Sequence, residues 1–293
     1  MLDFRMDTFL AVCQCMNYTR AAEMLSITQP AVSQHIRYLE EEYQTKLFVQ
    51  RGRRIELTES GVFLMHTVLR MQHDVMHLKK EIEKQEGRRR KLCFGATFTI
   101  GEYLVPPRLP RLLAGYPGLS VEIRLGSTIG LLERLNRGEL EFAIVEGNFA
   151  KQEYAHMLYK KEPFLAVCAP GHHFIKEPDS LEQLLPETLI VREEGSGNRE
   201  ILERTLQGKN LTLADFASCI EINDIQAIKE LVKRDVGIGF LYQTAAAQEL
   251  REGSLKQIVL SDFQIVHDMA FVWMKGSVFE DYYRECAELL KPL

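Results

Sequence analysis

Between Tyr18 and Glu40 the chain reads Tyr-Thr-Arg-Ala-Ala-Glu-Met-Leu-Ser-Ile-Thr-Gln-Pro-Ala-Val-Ser-Gln-His-Ile-Arg-Tyr-Leu-Glu, and few folds accommodate that pattern. Val32, Ile36 and Leu39 recur at i, i+4 and i+7, so one side of a short helix must face a core. Pro30, Ser33, Gln34 and Arg37 fall on its other side. Thr28 can cap the first turn, and Pro30 is harmless there because its missing N–H would have no helical partner. A shorter helical stretch precedes this one, joined to it by a tight corner, which gives a helix-turn-helix. Hydroxyl and amide side chains on the outward face can donate to and accept from base edges in a major groove. Taken alone, the pattern also fits an ordinary helical hairpin in a globular core.

The next segment favours the DNA reading. Tyr43 to Thr58 holds apolar runs around Leu47–Val49 and at Ile55 and Leu57, with Arg51-Gly52-Arg53-Arg54 between them. A glycine turn flanked by alternating apolar residues predicts a hairpin, here a wing beside the second helix. Its three arginines are placed to meet phosphates, contacts that position a protein without reading bases. The candidate DNA-binding residues are therefore Thr28, Gln29, Pro30, Ser33, Gln34 and Arg37 on the helix, with Arg51, Arg53 and Arg54 on the wing.

Net charge does not suggest a general grip on nucleic acid. The chain carries −5, and residues 1–60 hold seven Lys/Arg against eight acids. Placement matters more than the sum. Arg37, Lys46 and the wing tip can share one face, while Glu40–Glu42 sit at the far end of the reading helix. Affinity should then depend on dimerisation and on specific contacts.

From Thr58 onward no glycine interrupts residues 62–86, and Leu64, Val68, Met71, Val75, Leu78 and Ile82 recur at alternating spacings of four and three. This is a coiled-coil repeat, and it predicts a long helix, capped by Thr58, whose stripe is a dimer seam. A homodimer would place two reading helices about a two-fold axis, so the preferred site in double-stranded DNA should be an inverted repeat. The alternative is a long helix buried against its own chain. The basic run Gly87-Arg-Arg-Arg-Lys91 ends the helix and reads as a solvated hinge.

Beyond it, strand and helix patterns alternate. Strands are expected at Leu92–Ala96, Leu119–Leu125, Phe142–Val145, Phe164–Cys168, Thr188–Val191, Ala217–Ile222, Ile238–Leu241 and Met269–Met274. Helices are expected at Leu104–Leu113, Leu131–Leu135, Ile201–Leu206, Ile225–Val232, Ala245–Leu250 and Tyr283–Leu290. Such alternation implies parallel sheet, whose ligands lie beyond the strand C-terminal ends.

With 293 residues and 46% hydrophobic content, the chain can bury several cores, and no apolar run is long enough to span a membrane. The charged N-terminus is a poor signal peptide. Six cysteines lack any CxxC pair, which fits a reducing cytoplasm. His172-His173 sits in a turn-like segment, and no zinc-ligand spacing is present, so no metal site and no cofactor are expected.

Along nearly its whole length the chain resembles the LysR-type transcriptional regulators. The resemblance is carried by Arg20-Ala-Ala-Glu-Met-Leu25, Thr28-Gln-Pro-Ala-Val-Ser33, Leu39-Glu40, Leu47-Phe48, Arg51 and Leu57-Thr-Glu-Ser-Gly61. It departs at Met16, where the family usually has glycine; Asn17, which tolerates left-handed backbone or can cap, is expected to make that turn. The resemblance implies an α/β fold class with a winged helix-turn-helix (1–58), a linker helix and hinge (59–90) and a periplasmic-binding-protein-like regulatory domain (91–293). The last would divide into subdomain I (91–162 plus 266–293) and subdomain II (163–265), with an effector between them. Carried over by position, the cleft residues are Thr97, Phe98, Thr99 and Ile100, then Ser127, Thr128 and Glu146, then Ser196, Gly197, Asn198, Arg199 and Asp224. Several hydroxyls precede helices, whose free N–H groups favour a small carboxylate or oxyanion, although Thr97 and Ser196 also suit plain helix capping. Glu146 would oppose an anion unless Arg199 or Arg192 offsets it. A dimer of dimers and contact with RNA polymerase follow from the resemblance alone.

Two rival readings have less support. No GxSxG elbow, P-loop or GxGxxG opening a βαβ unit is present, so an enzyme is not expected. A thiol redox sensor would use Cys168 and Cys219, which lie in apolar strand-like runs and read as buried, inert residues.

Overall fold

The computed structural model describes residues 3–52, 54–85 and 91–292 and, within them, all side chains except those at 80, 81 and 83–85. Arg53 and the Gly87–Arg90 run lie outside the described residues. Three helices open the chain: α1 (Phe4–Cys15), α2 (Tyr18–Leu25) and α3 (Gln29–Glu42). A hairpin follows, β1 (Phe48–Arg51) paired antiparallel with β2 (Arg54–Leu57). Phe9, Val12, Ala21, Val32, Ile36, Leu39 and Leu47 form their common core. The turn between α1 and α2 differs from expectation. Met16 takes the left-handed backbone (φ 45°), while extended Asn17 caps α2, accepting from the Thr19 and Arg20 N–H groups at 2.9 and 3.0 Å. An N-cap side chain reaches those groups only from an extended backbone, so the turn falls to the residue before it.

The long helix α4 (Glu59–Gln85) starts where Thr58 Oγ1 accepts from Gly61 N–H at 2.9 Å. Two of its expected seam positions are corrected. Val68 is 1% exposed inside the N-terminal core, and Leu64 packs half-buried against it. A second face meets the α/β half: His73 Nε2 lies 3.0 Å from Leu140 O, and the Asp74 carboxylate accepts from Ser277 Oγ at 2.6 Å. Met71, Leu78 and Ile82 remain exposed, together with Phe63, and Val75 is half-buried.

The α/β half contains β3 (Lys91–Ala96), α5 (Leu109–Gly115), β4 (Ser120–Leu125), α6 (Thr128–Asn136), β5 (Ala143–Val145) and β6 (Tyr154–Cys168). It continues through β7 (Thr188–Val191), α7 (Gly197–Gln207), β8 (Ser218–Glu221), α8 (Ile225–Lys233), β9 (Ile238–Tyr242), α9 (Gln243–Glu252), β10 (Lys256–Ile258), β11 (Ile265–Met274) and α10 (Glu280–Leu290). One sheet runs β4-β3-β5-β11-β6-β9-β7-β8, with β10 also on β6. Parallel groups at either end, β4-β3-β5 and β9-β7-β8, flank the antiparallel pair β6 and β11. That pair passes through both groups and shifts register between Met269 and Ala270. The boundary expected at 162/163 thus falls inside a continuous strand. The helix expected at Leu104–Leu113 is also broken up. A π-helical turn (Ile100–Leu104) and a 3-10 turn (Pro106–Arg108) precede α5, because Pro106, Pro107 and Pro110 cannot supply ladder N–H groups.

Candidate DNA-reading face and effector cleft

Thr28 accepts from Ala31 N–H at 3.4 Å and starts α3 with Pro30 in its first turn. With Val32, Ile36 and Leu39 inward, Gln29, Pro30, Gln34 and Arg37 are exposed and Ser33 half-buried. Gln29 Nε2 donates to Ser33 Oγ at 2.9 Å, so the two side chains act as one polar patch. A shallow groove beside them is lined by Ser33, Arg37, Lys46 and Gln50, joining α3 to the wing. Arg51 and Arg54 pair across the hairpin and are exposed; Arg51 also lies 3.2 Å from Glu56. Lys46 is tied to Glu40 at 2.6 Å, and that carboxylate also accepts from Leu47 N–H, which fixes the approach from α3 to the wing. The acid at the end of α3 is therefore a structural clamp.

The second cluster lies beyond the C-terminal ends of β3, β5 and β7. Thr97, Thr99, Glu146, Arg192, Ser196 and Asn198 are all buried, and Thr128 nearly so. Thr97 Oγ1, Thr99 Oγ1, Glu146 Oε2 and both amide atoms of Asn198 have no hydrogen-bond partner among the described residues. Leaving a buried polar atom unpaired costs about 1–3 kcal/mol, so five together mark a place built for something else. Gly197 opens α7 directly against Glu146: a Cβ there would lie 2.7 Å from Glu146 Cγ, so only glycine fits. Thr128 Oγ1 donates to the Glu146 carbonyl and fixes the strand end beneath it. Burial pushes the Glu146 carboxyl up to about 8; the nearby Arg192 guanidinium pulls it down, and Glu162 adds to the rise.

Other expected cleft residues have different roles. Ile100 is wholly buried in the main apolar core. Ser127 and Ser196 accept from Gly130 and Arg199 N–H groups at 3.3 Å, as helix caps. Asp224 is exposed and caps α8, accepting from Ala227 N–H at 2.7 Å. Arg199 does not offset Glu146, since its guanidinium is held by Glu203 at 2.7 Å and Glu221 at 2.5 Å. Arg192 is the buried cation near Glu146; it forms a fork with Glu193 at 2.7 and 2.9 Å and stands over the half-buried Phe98 ring at 5.0 Å.

Residues 5–62 match the model of the bacterial regulatory helix-turn-helix protein, lysR family, and residues 85–292 match the LysR substrate binding domain. The chain belongs to the LysR family of transcriptional regulators. Two relatives cover most of this LysR-type chain. The HTH-type transcriptional regulator CysL of Bacillus subtilis is 30% identical over 91% of this chain and 89% of its own. The HTH-type transcriptional activator CmpR of Synechocystis is 30% identical over 92% and 88%. Among solved structures, full-length LysG from Corynebacterium glutamicum with bound effector Arg has a TM-score of 0.62 at 19% identity, covering 99% of this chain and 98% of that one. The Synechocystis CcmR regulatory domain in complex with 2-PG has a TM-score of 0.60 at 19% identity, covering 69% and 97%.

Sequence reasoning missed one side of the LysR-type cleft. Glu162 is 1% exposed, paired with Lys160 and accepting from the Thr244 N–H and hydroxyl at 2.6 Å each. Tyr242, also buried, has its hydroxyl 2.9 Å from His267 Nδ1. The available signal was polar residues interrupting apolar strand runs, and the run Tyr154–Glu162 has too little apolar alternation to show it. The cysteine pair differs from expectation as well: Cys168 is buried, but Cys219 is exposed on the edge strand β8. Three strand spacings separate them, about 14 Å, well beyond disulfide reach. Burial raises the Cys168 thiol to about 11, and partial desolvation raises that of Cys219, which makes them poor nucleophiles. His172 is engaged by Asp235 at 2.5 Å and Glu187 at 3.2 Å.

Proposed function

We propose that this LysR-type chain is a sequence-specific regulator that reads DNA with α3, grips phosphates with its wing and responds to a small anion in the cleft. On this reading residues 1–58 bind DNA, 59–90 connect and 91–293 sense, with 91–162 plus 266–293 and 163–265 as the two lobes. The reading helix presents Gln29, Ser33 and Gln34 to bases, with Arg37, Arg51 and Arg54 toward phosphates. The exposed stripe of α4, centred on Met71, Leu78 and Ile82, is the dimer seam, so the operator is an inverted repeat in double-stranded DNA. The site of action is the cytoplasm, at promoters where RNA polymerase is the further partner, and the role is regulatory, not enzymatic.

The observation that carries the effector half is the set of buried, unpartnered polar atoms on Thr97, Thr99, Glu146 and Asn198. Asn198 lies in the first turn of α7, where Gly197 packs against Glu146 and free N–H groups favour an oxyanion or carboxylate. The small ligands named for LysG and CcmR support a small-molecule effector. Selection of bound sequences from a randomised duplex library tests the DNA half. Enrichment of an inverted repeat is expected, and recovery of unenriched sequence would overturn the reading.

A further inference from the structure

Glu146 Oε2 is buried with neither a hydrogen bond nor an ion pair among the described residues, whereas Glu162 Oε2, also without a hydrogen bond, is ion-paired with Lys160. Glu162 has Lys160 and Thr244, Glu193 has Arg192, and Glu200 has Arg204 and Asn148. The Glu146 carboxyl is packed over Gly197 at the start of α7, among three further polar side chains that are unpartnered and buried. An ionised carboxylate only accepts hydrogen bonds and would repel an anion at the same helix start; a protonated one donates.

We propose that Glu146 is the selectivity residue of the cleft, a carboxylic acid that keeps its proton and donates a hydrogen bond through it to an oxygen of a small, fully deprotonated oxyanion. The inference rests on the cleft reading above and adds the ligand class. Thr97, Thr99 and the Asn198 amide supply the other donors, beside the first turn of α7, where Gly197 packs against Glu146 and helix N–H groups are free. Anions that carry their own proton would meet one donor too many, and cations would meet Arg192. No proton is transferred on binding; the hydrogen bond alone forms.

The groups facing Glu146 come from every neighbouring element: Thr97 and Thr99 after β3, Thr128 on α6, Glu162 with Lys160 on β6, Arg192 with Glu193 after β7, Asn198 and Glu200 on α7, and Tyr242 on β9 bonded to His267 on β11. Burial raises Tyr242 well above its ordinary range and lowers His267. Neither changes charge between pH 7 and 9. Glu146 does, because burial has moved its titration to about 8.

The test is calorimetry on the full chain with sodium sulfate, sodium phosphate and methylammonium chloride as probes, from pH 6.5 to 9.5 at constant ionic strength. Sulfate is expected to bind, with affinity falling about tenfold per pH unit above pH 8. Glu146→Gln keeps a donor in the same place, so its sulfate affinity should match the low-pH value of the native chain and stay flat with pH. If the amide does not fold, as judged by near-ultraviolet circular dichroism, Glu146→Asp should bind more weakly and keep the pH slope. Sulfate affinity that is flat with pH in the native chain, a preference for hydrogen phosphate or methylammonium, or no binding of any oxyanion would overturn the proposal. The cleft reading fails separately: sulfate binding that survives Thr97→Val and Thr99→Val unchanged would place the anion elsewhere. Methylammonium binding lost in those variants would keep the cleft and remove the proposal.

Discussion

The guanidinium of Arg199 on α7 reaches Glu221 at the end of β8, with Nη1 2.5 Å from Oε2, and turns away from the buried carboxyl of Glu146. A cation that a linear reading places in the cleft is thereby used to tie a helix to the sheet edge. Arg199→Ala should leave sulfate affinity unchanged and lower stability by about 1 kcal/mol or less, because Glu203 and Glu221 are partly exposed and exposed pairs contribute little. Chemical denaturation and calorimetry on the same variant separate the two effects. A large loss of affinity at unchanged stability would return Arg199 to the cleft.

The patch made by Gln29 and Ser33 should carry base recognition. Replacing either by alanine breaks the Gln29–Ser33 hydrogen bond and removes the base contact proposed for the patch. Binding to the selected inverted repeat should weaken by about 1–3 kcal/mol, with random duplex almost unaffected. Fluorescence anisotropy on both sequences reads this; equal losses would mean α3 does not face the bases.

Arg54 is exposed at the wing, where the proposed reading puts it on phosphates. Arg54→Ala should weaken both duplexes alike and reduce the slope of log affinity against log salt by about one. An unchanged slope would remove the wing from the phosphates. Arg51 should behave less cleanly, because Glu56 already holds part of its charge.

Much of this architecture was legible because local rules and tertiary demands agree. The α3 stripe of Val32, Ile36 and Leu39 had only one way to face a core, and Thr28 and Thr58 cap as their types predict. The apolar β3, β5, β7 and β9 strands appear as short hydrophobic runs for the same reason. What escaped was decided by long-range packing. A heptad cannot say which partner a position meets, so Val68 looked like Met71 although it meets the N-terminal core. The first half of β6 is half-exposed and mixed in character, which hides a strand that joins the lobes. At the cleft, residue type could not tell the capping hydroxyls of Ser127 and Ser196 from the unpartnered ones of Thr97 and Thr99.

The two classes of heptad position predict opposite outcomes. Met71→Asp with Leu78→Asp changes exposed positions and should give folded monomers in sedimentation. Val68→Asp puts an unpaired charge into a closed core and should destabilise the N-terminal domain by about 3 kcal/mol or more. A persistent dimer in the double variant would refute the seam, and a stable Val68→Asp would refute the assignment of that face.

The same carboxyl that is proposed to select the effector should also leave a mark on stability without any ligand. Glu146 titrates near its ordinary value of 4.5 when the chain is unfolded and near 8 when folded, because burial disfavours the charged form. Between these limits the folded state holds the proton and the unfolded state does not. Stability must then fall as pH rises from about 4.5 to 8 and level off above, since each unit of separation is about 1.4 kcal/mol of linkage. Glu146→Gln cannot lose a proton, so its stability relative to the native chain should improve steadily across that window. The comparison by urea unfolding from pH 5 to 9 cancels the other titrating groups, which both chains share. Parallel stability curves for the two proteins would mean that Glu146 is already ionised in the folded state, and a cleft with a buried negative charge would then call for a cationic effector.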